Sequence, residues 1–266
     1  MGKEVIGSRA KFVINDKNDC IMYLGHLLEY AVKKKEVYWE LILESITYYT
    51  HELERAGIKF SGEIRIDEII MIEDKKILHS NIAFSKFKLF TSAMKLIENE
   101  IINIIGDYSK DKRSISYNNY LSIIKNDKIG QVKFHHNLER DELIKKYKEH
   151  RNYNAHFTSD KLCEWIDYRI KQSQEYENVK FEFGDDFNIY VSDEIQLEYL
   201  RTELVRHMKT HFEYEKAIDH IKQDFQYLNG RDIKINVKKV PLDKSAIPIS
   251  ENGYSSHLRS NNRETK

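Results

Sequence analysis

The sequence predicts a mainly α fold, a helical bundle of about five long helices with a small β-hairpin inserted near 179–191. Three observations carry this expectation. Breakers are scarce: the 266 residues include ten Gly and two Pro, and both prolines, Pro241 and Pro248, lie near the C-terminus. Apolar residues recur at spacings of three and four over long stretches. Hydrophobic residues make up 41% of the chain, enough to bury a core, while 32% are charged and can clothe the outer helix faces.

The first helix is expected from about Asp19 to Ala56. Its second half sets Tyr38, Ile42, Ile46, Tyr49, Leu53 and Ala56 on one stripe, with Ser45 beside them. Gly57 follows and suits the left-handed position that closes a helix. The segment 58–72 alternates around Gly62 like a short hairpin, yet its later part also fits a helix. A second helix is expected from about Lys75 to Ile105, with Ala83, Phe87, Phe90, Met94, Ile97, Ile101 and Ile104 as its stripe and Gly106 after it.

Residues 107–137 look irregular, apart from a short helix around Tyr120–Ile124. A third long helix runs from Leu138 to about His156. Thr158-Ser159-Asp160 offers an N-cap for a fourth, reaching about Tyr176. Val179 to Val191 alternates apolar and polar residues on both sides of Gly184-Asp185-Asp186, a hairpin signal. The last long helix spans about Asp193 to Leu228, and Asn229-Gly230 ends it. Residues 1–230 thus read as one helical domain. Residues 231–266, polar and holding both prolines, read as a loosely ordered tail.

Composition narrows the function. Lys+Arg and Asp+Glu both total 43, so net charge is zero and the chain as a whole is not a polycation. Cys20 and Cys163 have no metal-ligand spacing and imply a reducing compartment. The start, M-G-K-E-V-I-G-S-R-A, has no apolar core of a signal peptide, and no apolar run approaches a membrane span. A cytoplasmic protein with no membrane partner is expected. A phosphate-cradling glycine loop, G-x-S-x-G and zinc-finger spacings are all missing, which disfavours nucleotide hydrolases, serine hydrolases and zinc fingers.

The stretch K-E-H-R-N-Y-N-A-H-F, Lys148 to Phe157, carries the most chemistry. Ile144, Tyr147, Arg151, Ala155 and Thr158 follow one helical stripe, so Arg151 continues an apolar face. A guanidinium there needs a carboxylate, a phosphate or a subunit interface to solvate it. His156 stands beside that stripe near the helix end. Two readings are open. Arg151 is a structural arginine paired with an acid and His156 a helix cap favoured by the dipole, or the two act together on a phosphate.

R-N-x-x-x-H at 151–156 resembles the Arg-x(4–6)-His signature of the HEPN superfamily, in which a polar residue, often Asn, follows the Arg. The resemblance covers six residues and the all-helical context. It implies a helical homodimer with a composite active site, and a metal-independent ribonuclease of the abortive-infection or toxin–antitoxin kind. It assigns catalysis to Arg151 and His156 with help from Asn152, requires no cofactor, and implies RNA as substrate, with tRNA a candidate, and an antitoxin or other regulatory partner. The same spacing occurs at Arg201/His207 and Arg206/His211, both inside the last helix. The pair at 151 is preferred because Asn152 follows it and a helix end can bring Arg and His together.

The residue types suit RNA cleavage. RNA carries its own nucleophile, the 2′-OH. Histidine, with an ordinary pKa near 6.5, serves as acid or base at neutral pH. Arginine stays charged and matches phosphate oxygens. Lys145, Lys146 and Lys148, with Tyr153 and Asn154, are candidate RNA contacts, although a lysine run is more often a solvated helix face. Tyr48-Tyr49, Tyr117, Tyr120, Tyr147 and Tyr168 stack bases if exposed, and edge the core if not. His207 and His211, at i and i+4 with Glu203 and Glu215 on the same face and His135-His136 as further donors, offer metal-ligand types. The bland reading, a histidine pair between helices, is preferred, and no metal is assigned. The competing function is a helical module that binds RNA, nucleotide or a protein partner and cuts nothing.

Overall fold

The computed structural model describes residues 3–6, 9–58, 77, 79–108, 115–127, 129, 132–133, 135–155, 162–163, 166–167 and 192–238, with backbone alone at 3–6, 9–11 and 152–155. The chain divides into two units, Met1–Arg231 and Asp232–Lys266. The first is mainly α, as its scarce breakers predict. Among the described residues its long helices are α1 (Lys17–Arg55), α2 (Phe84–Gly106), α3 (Tyr117–Asp127), α4 (Leu138–Ala155) and α5 (Leu197–Asn229). In the second unit, the described residues 232–238 form no regular element.

Helix α1 starts two residues earlier than its apolar stripe suggests. Asp16 is its N-cap, and its side chain accepts from the Asp19 amide at 2.9 Å. Gly57 takes φ 82°, the left-handed closure expected after the helix. Most of the predicted stripe is core: Tyr38, Ile42, Tyr49 and Leu53, with Ser45 beside them, are buried, while Ile46 and Ala56 are half-buried. They pack against α5, where Leu200, Leu204, Met208, Tyr214 and Ile221 are buried. Each such aliphatic side chain removed from water contributes on the order of 1.5–3 kcal/mol before entropy is counted. Helix α2 covers α1 with Met94, Ile97, Ile101 and Ile104.

Two expectations need correction. The spacing predicts the second helix from Lys75, yet Asn81–Ala83 is a strand, β3, and α2 begins at Phe84. The spacing predicts the last helix from Asp193, yet Glu194–Gln196 is a strand, β4, and α5 begins at Leu197. The two strands pair antiparallel, Ile82 against Ile195. The Phe84 amide donates to the Asp193 carbonyl and the Leu197 amide to the Ser80 carbonyl, each at 2.8 Å. Helical spacing continues through both segments, but no side chain caps either helix. The ribbon supplies the missing partners instead, so the helices start where it ends. Ala83, expected on the buried stripe, is exposed.

A second ribbon pairs β1 (Lys3–Ile6) with β2 (Arg9–Phe12), antiparallel, Ile6 against Arg9. The hairpin expected at 179–191 lies outside the described residues, as do most of the expected fourth helix and of the tail. Within that fourth helix, residues 162–163 and 166–167 are helical. No helix among the described residues is long and apolar enough to cross a membrane. Cys20 is buried and Cys163 exposed, both as free thiols.

Candidate functional site at the end of helix α4

Helix α4 is built by its own sequence at the start and by α2 at the end. The Asn137 side chain accepts from the Arg140 amide at 3.0 Å, and Glu139 and Asp141 lie in the first turn, where the helix dipole favours acids. Ile144 and Tyr147 are buried. At Tyr147–Lys148 the last residue of α2, Gly106, comes very close. A Cβ on Gly106 would lie 2.7 Å from the Lys148 nitrogen and 2.7 Å from the Tyr147 carbonyl carbon. Only glycine allows this approach. In the sequence Gly106 merely follows the apolar stripe of α2; in the fold it lets two backbones touch.

That contact sets the next residue. Asp107 leaves α2 in an extended conformation (φ −64°, ψ 144°), and its Oδ1 lies 3.1 Å from Arg151 Nη2. The guanidinium on the core-facing stripe thus has its carboxylate. Arg151 remains about a third exposed, at 36%, and Asp107 22%. A half-exposed ion pair of this kind is worth at most about 1 kcal/mol, so a phosphate can compete for the same guanidinium.

Asn152, Tyr153 and Asn154 continue α4 by their backbone, and His156 lies outside the described residues. The described residues therefore hold the arginine of the motif but not its histidine. The lysines beside it are exposed. Lys146 pairs with Glu213 at 2.5 Å, Lys145 lies 4.0 Å from Glu149, and Lys148 sits 6.0 Å over the Tyr108 ring. Of the tyrosines considered for base stacking, Tyr49, Tyr117, Tyr120 and Tyr147 are buried and belong to the core. Tyr48 is half-buried and stacks on Phe90. Tyr168 lies outside the described residues.

The two rival Arg–His pairs serve the interior. Arg201 pairs with Glu198 at 2.9 Å. Arg206 Nη1 donates to both Glu98 carboxylate oxygens at 2.8 Å, and Nη2 lies 2.9 Å from His207 Nε2. A guanidinium can only donate, so Nε2 accepts, and Nδ1 carries the proton toward the Tyr38 hydroxyl 2.6 Å away. Burial, helped by the Arg206 and Lys95 charges, pushes the His207 pKa down to about 3. His207 is wholly buried and stays neutral. His211 is 4% exposed, packs its ring 4.8 Å from that of Trp39, and has neither ring nitrogen in a hydrogen bond. With both His207 nitrogens already engaged, the His207/His211 face is poorly suited to metal. Among the described residues no three His, Cys, Asp or Glu are grouped to hold an ion.

A second polar cluster has no counterpart in the sequence pattern. Arg140, 3% exposed, reaches Asp141 at 3.2 Å, Asp224 at 3.5 Å and the His135 carbonyl at 2.5 Å. The Tyr117 hydroxyl donates to Asp224 at 2.7 Å. Burial raises the Asp224 pKa, against the pull of Tyr117 and Arg140. The adjoining cleft, lined by Tyr120, Lys133, His135 and Tyr227 among others, has a volume of about 20 Å³, room for about one water. No local pattern announces it, because its members come from three separate helices.

No protein-family model, no curated protein and no solved structure matches the chain, so its function has to be read from its own residues and their geometry.

Proposed function

We propose that this chain is a HEPN-like endoribonuclease that cleaves RNA without a metal and acts in phage defence or as a toxin. The observation that carries this reading is one of elimination. Of three Arg–His pairs with the right spacing, two have their histidines buried, His207 entirely and His211 at 4% exposure, where no RNA can reach. The third has a partly exposed arginine at the end of α4, next to Asn152 and ahead of His156.

In this mechanism Arg151 binds the scissile phosphate and offsets charge on the pentacoordinate phosphorus. His156 accepts the 2′-OH proton or donates one to the leaving 5′-oxygen. The 2′-oxygen bonds to phosphorus, the P–O5′ bond breaks, and the products are a 2′,3′-cyclic phosphate and a 5′-OH. Asn152 orients His156 or a phosphate oxygen. One protomer brings one such histidine, and a two-fold dimer brings the second and makes the site composite. An activity this hazardous calls for an antitoxin or a trigger.

One observation favours a second reading, a helical module that binds and does not cut. Arg151 already has a carboxylate at 3.1 Å, as a purely structural arginine would. Cleavage of total RNA and tRNA in excess EDTA, by wild type, His156→Ala and Arg151→Ala, separates the two. The nuclease cuts and both variants lose cutting. A binding module cuts in no form and keeps most of its RNA affinity in His156→Ala.

A further inference from the structure

The outer face of α2 has a positive bias that the chain as a whole does not. The whole sequence balances 43 bases with 43 acids. The exposed positions of α2 include Lys86, Lys88 and Lys95 and no carboxylate; Lys95, its side chain 59% exposed, also lies 3.5 Å from Glu203 of α5. The helix has two acids, Glu98 and Glu100. Both turn away from that face, Glu98 to Arg206 at 2.8 Å and Glu100 to Lys34 at 2.6 Å.

The same face carries apolar surface. Leu89 is 69% exposed and Leu96 63%. They stand seven residues apart, so they form one ridge two turns long. Lys88 and Lys95, also seven apart, form a parallel ridge beside it. Serine and asparagine lie between the two.

We propose that this face docks an acidic amphipathic helix from a partner protein. The helix lies along α2, its apolar side chains on Leu89 and Leu96 and its carboxylates toward Lys88 and Lys95. Heptad-spaced anchors are what helix-on-helix recognition reads, and flanking charges choose the partner. The charges also choose among occupants. A second copy of this chain, laid antiparallel on α2 across a two-fold axis, would set these lysines against their own copies, which repels. An RNA backbone would meet the lysines but find nothing to contact in two leucines. The proposal does not depend on the ribonuclease reading.

The test uses the full chain and three probes. One is a helical peptide of about three heptads with Leu at the core positions and Glu flanking them. The second is a scrambled peptide of the same composition, and the third a single-stranded RNA of similar length. Binding is read by fluorescence anisotropy, and self-association by sedimentation. Both variant pairs, Lys88→Gln with Lys95→Gln and Leu89→Ser with Leu96→Ser, change only exposed positions, the neutral glutamine sets no carboxylate against Glu203, and circular dichroism confirms that they fold. The amphipathic peptide is expected to bind about tenfold tighter than the scramble, and each variant pair to weaken it by about tenfold, a change of about 1.4 kcal/mol. Equal binding of the two peptides, or binding that ignores either pair, overturns the proposal. So does a wild-type dimer that either pair dissociates, or RNA binding that the lysine pair abolishes and the leucine pair leaves intact.

Discussion

Replacing Gly106 by alanine tests the contact that builds the candidate site. The added Cβ would lie 2.7 Å from the Lys148 nitrogen and the Tyr147 carbonyl carbon, and 2.9 Å from the Tyr147 oxygen. Ordinary contact begins near 3.4 Å. The helices must therefore separate by about 0.7 Å at this point, since backbone atoms cannot rotate aside. Forced overpacking of this kind costs about 1–3 kcal/mol. Alanine returns only a fraction of the roughly 1 kcal/mol that helix propensity gives in an interior, because Gly106 is the last residue of α2. The net expectation is a loss of about 1–2 kcal/mol, or roughly 2–8 °C in Tm for a domain of this size. Urea unfolding followed by circular dichroism reads it as a lower midpoint at unchanged slope. Gly25→Ala is the control. Its Cβ would meet the end of the Phe225 ring at 3.2 Å, a side chain that can turn. That variant is expected to be neutral or up to about 1 kcal/mol more stable. If Gly106→Ala equals or exceeds wild type in stability, α2 and α4 do not meet as described, and the placement of Asp107 beside Arg151 fails with it.

Three further outcomes are expected. Tyr38→Phe leaves the buried His207 Nδ1 without its partner and should cost about 1–3 kcal/mol in thermal or urea unfolding. His207 is held neutral, with its pKa lowered from 6.5 to about 3. Between those values the unfolded chain binds a proton that the fold refuses, so this histidine's contribution is intact above about pH 6.5 and falls as pH drops toward 3. The slope approaches about 1.4 kcal/mol per pH unit within the window, and His207→Gln should remove that component from a pH series of unfolding curves. Arg151→Ala should cost no more than about 1 kcal/mol, because its ion pair with Asp107 is partly solvated. A melt that shows a much larger loss would make Arg151 a structural keystone.

The core was legible where one helix supplied its own period. Tyr38, Ile42, Tyr49 and Leu53 on α1, and Met94, Ile101 and Ile104 on α2, stood out by spacing and are buried. The starts of α2 and α5 were misplaced because a helical period ran on through two strands that only each other's pairing creates. The Lys3–Phe12 ribbon has one local signal in the sequence, Gly7-Ser8 between its strands, a pair that favours tight hairpins. At the site, the stripe through Ile144, Tyr147 and Arg151 required a partner for the guanidinium, and Asp107 is there. Its identity was not legible, because it depends on how closely Gly106 lets α2 approach α4. The Arg140–Asp224–Tyr117 cluster was invisible for the same reason: tertiary packing alone brings its members together. His207 and His211 are donor types in sequence, and their burial in the fold agrees with the preferred reading, a histidine pair between helices.

The most direct test of the central claim is the 3′-end chemistry of RNA cut by the purified chain in excess EDTA. Wild type is expected to leave 2′,3′-cyclic phosphate and 5′-OH ends, and His156→Ala to leave the RNA whole while melting as wild type does. Cutting that persists in His156→Ala, or that leaves 3′-OH ends, would contradict the account.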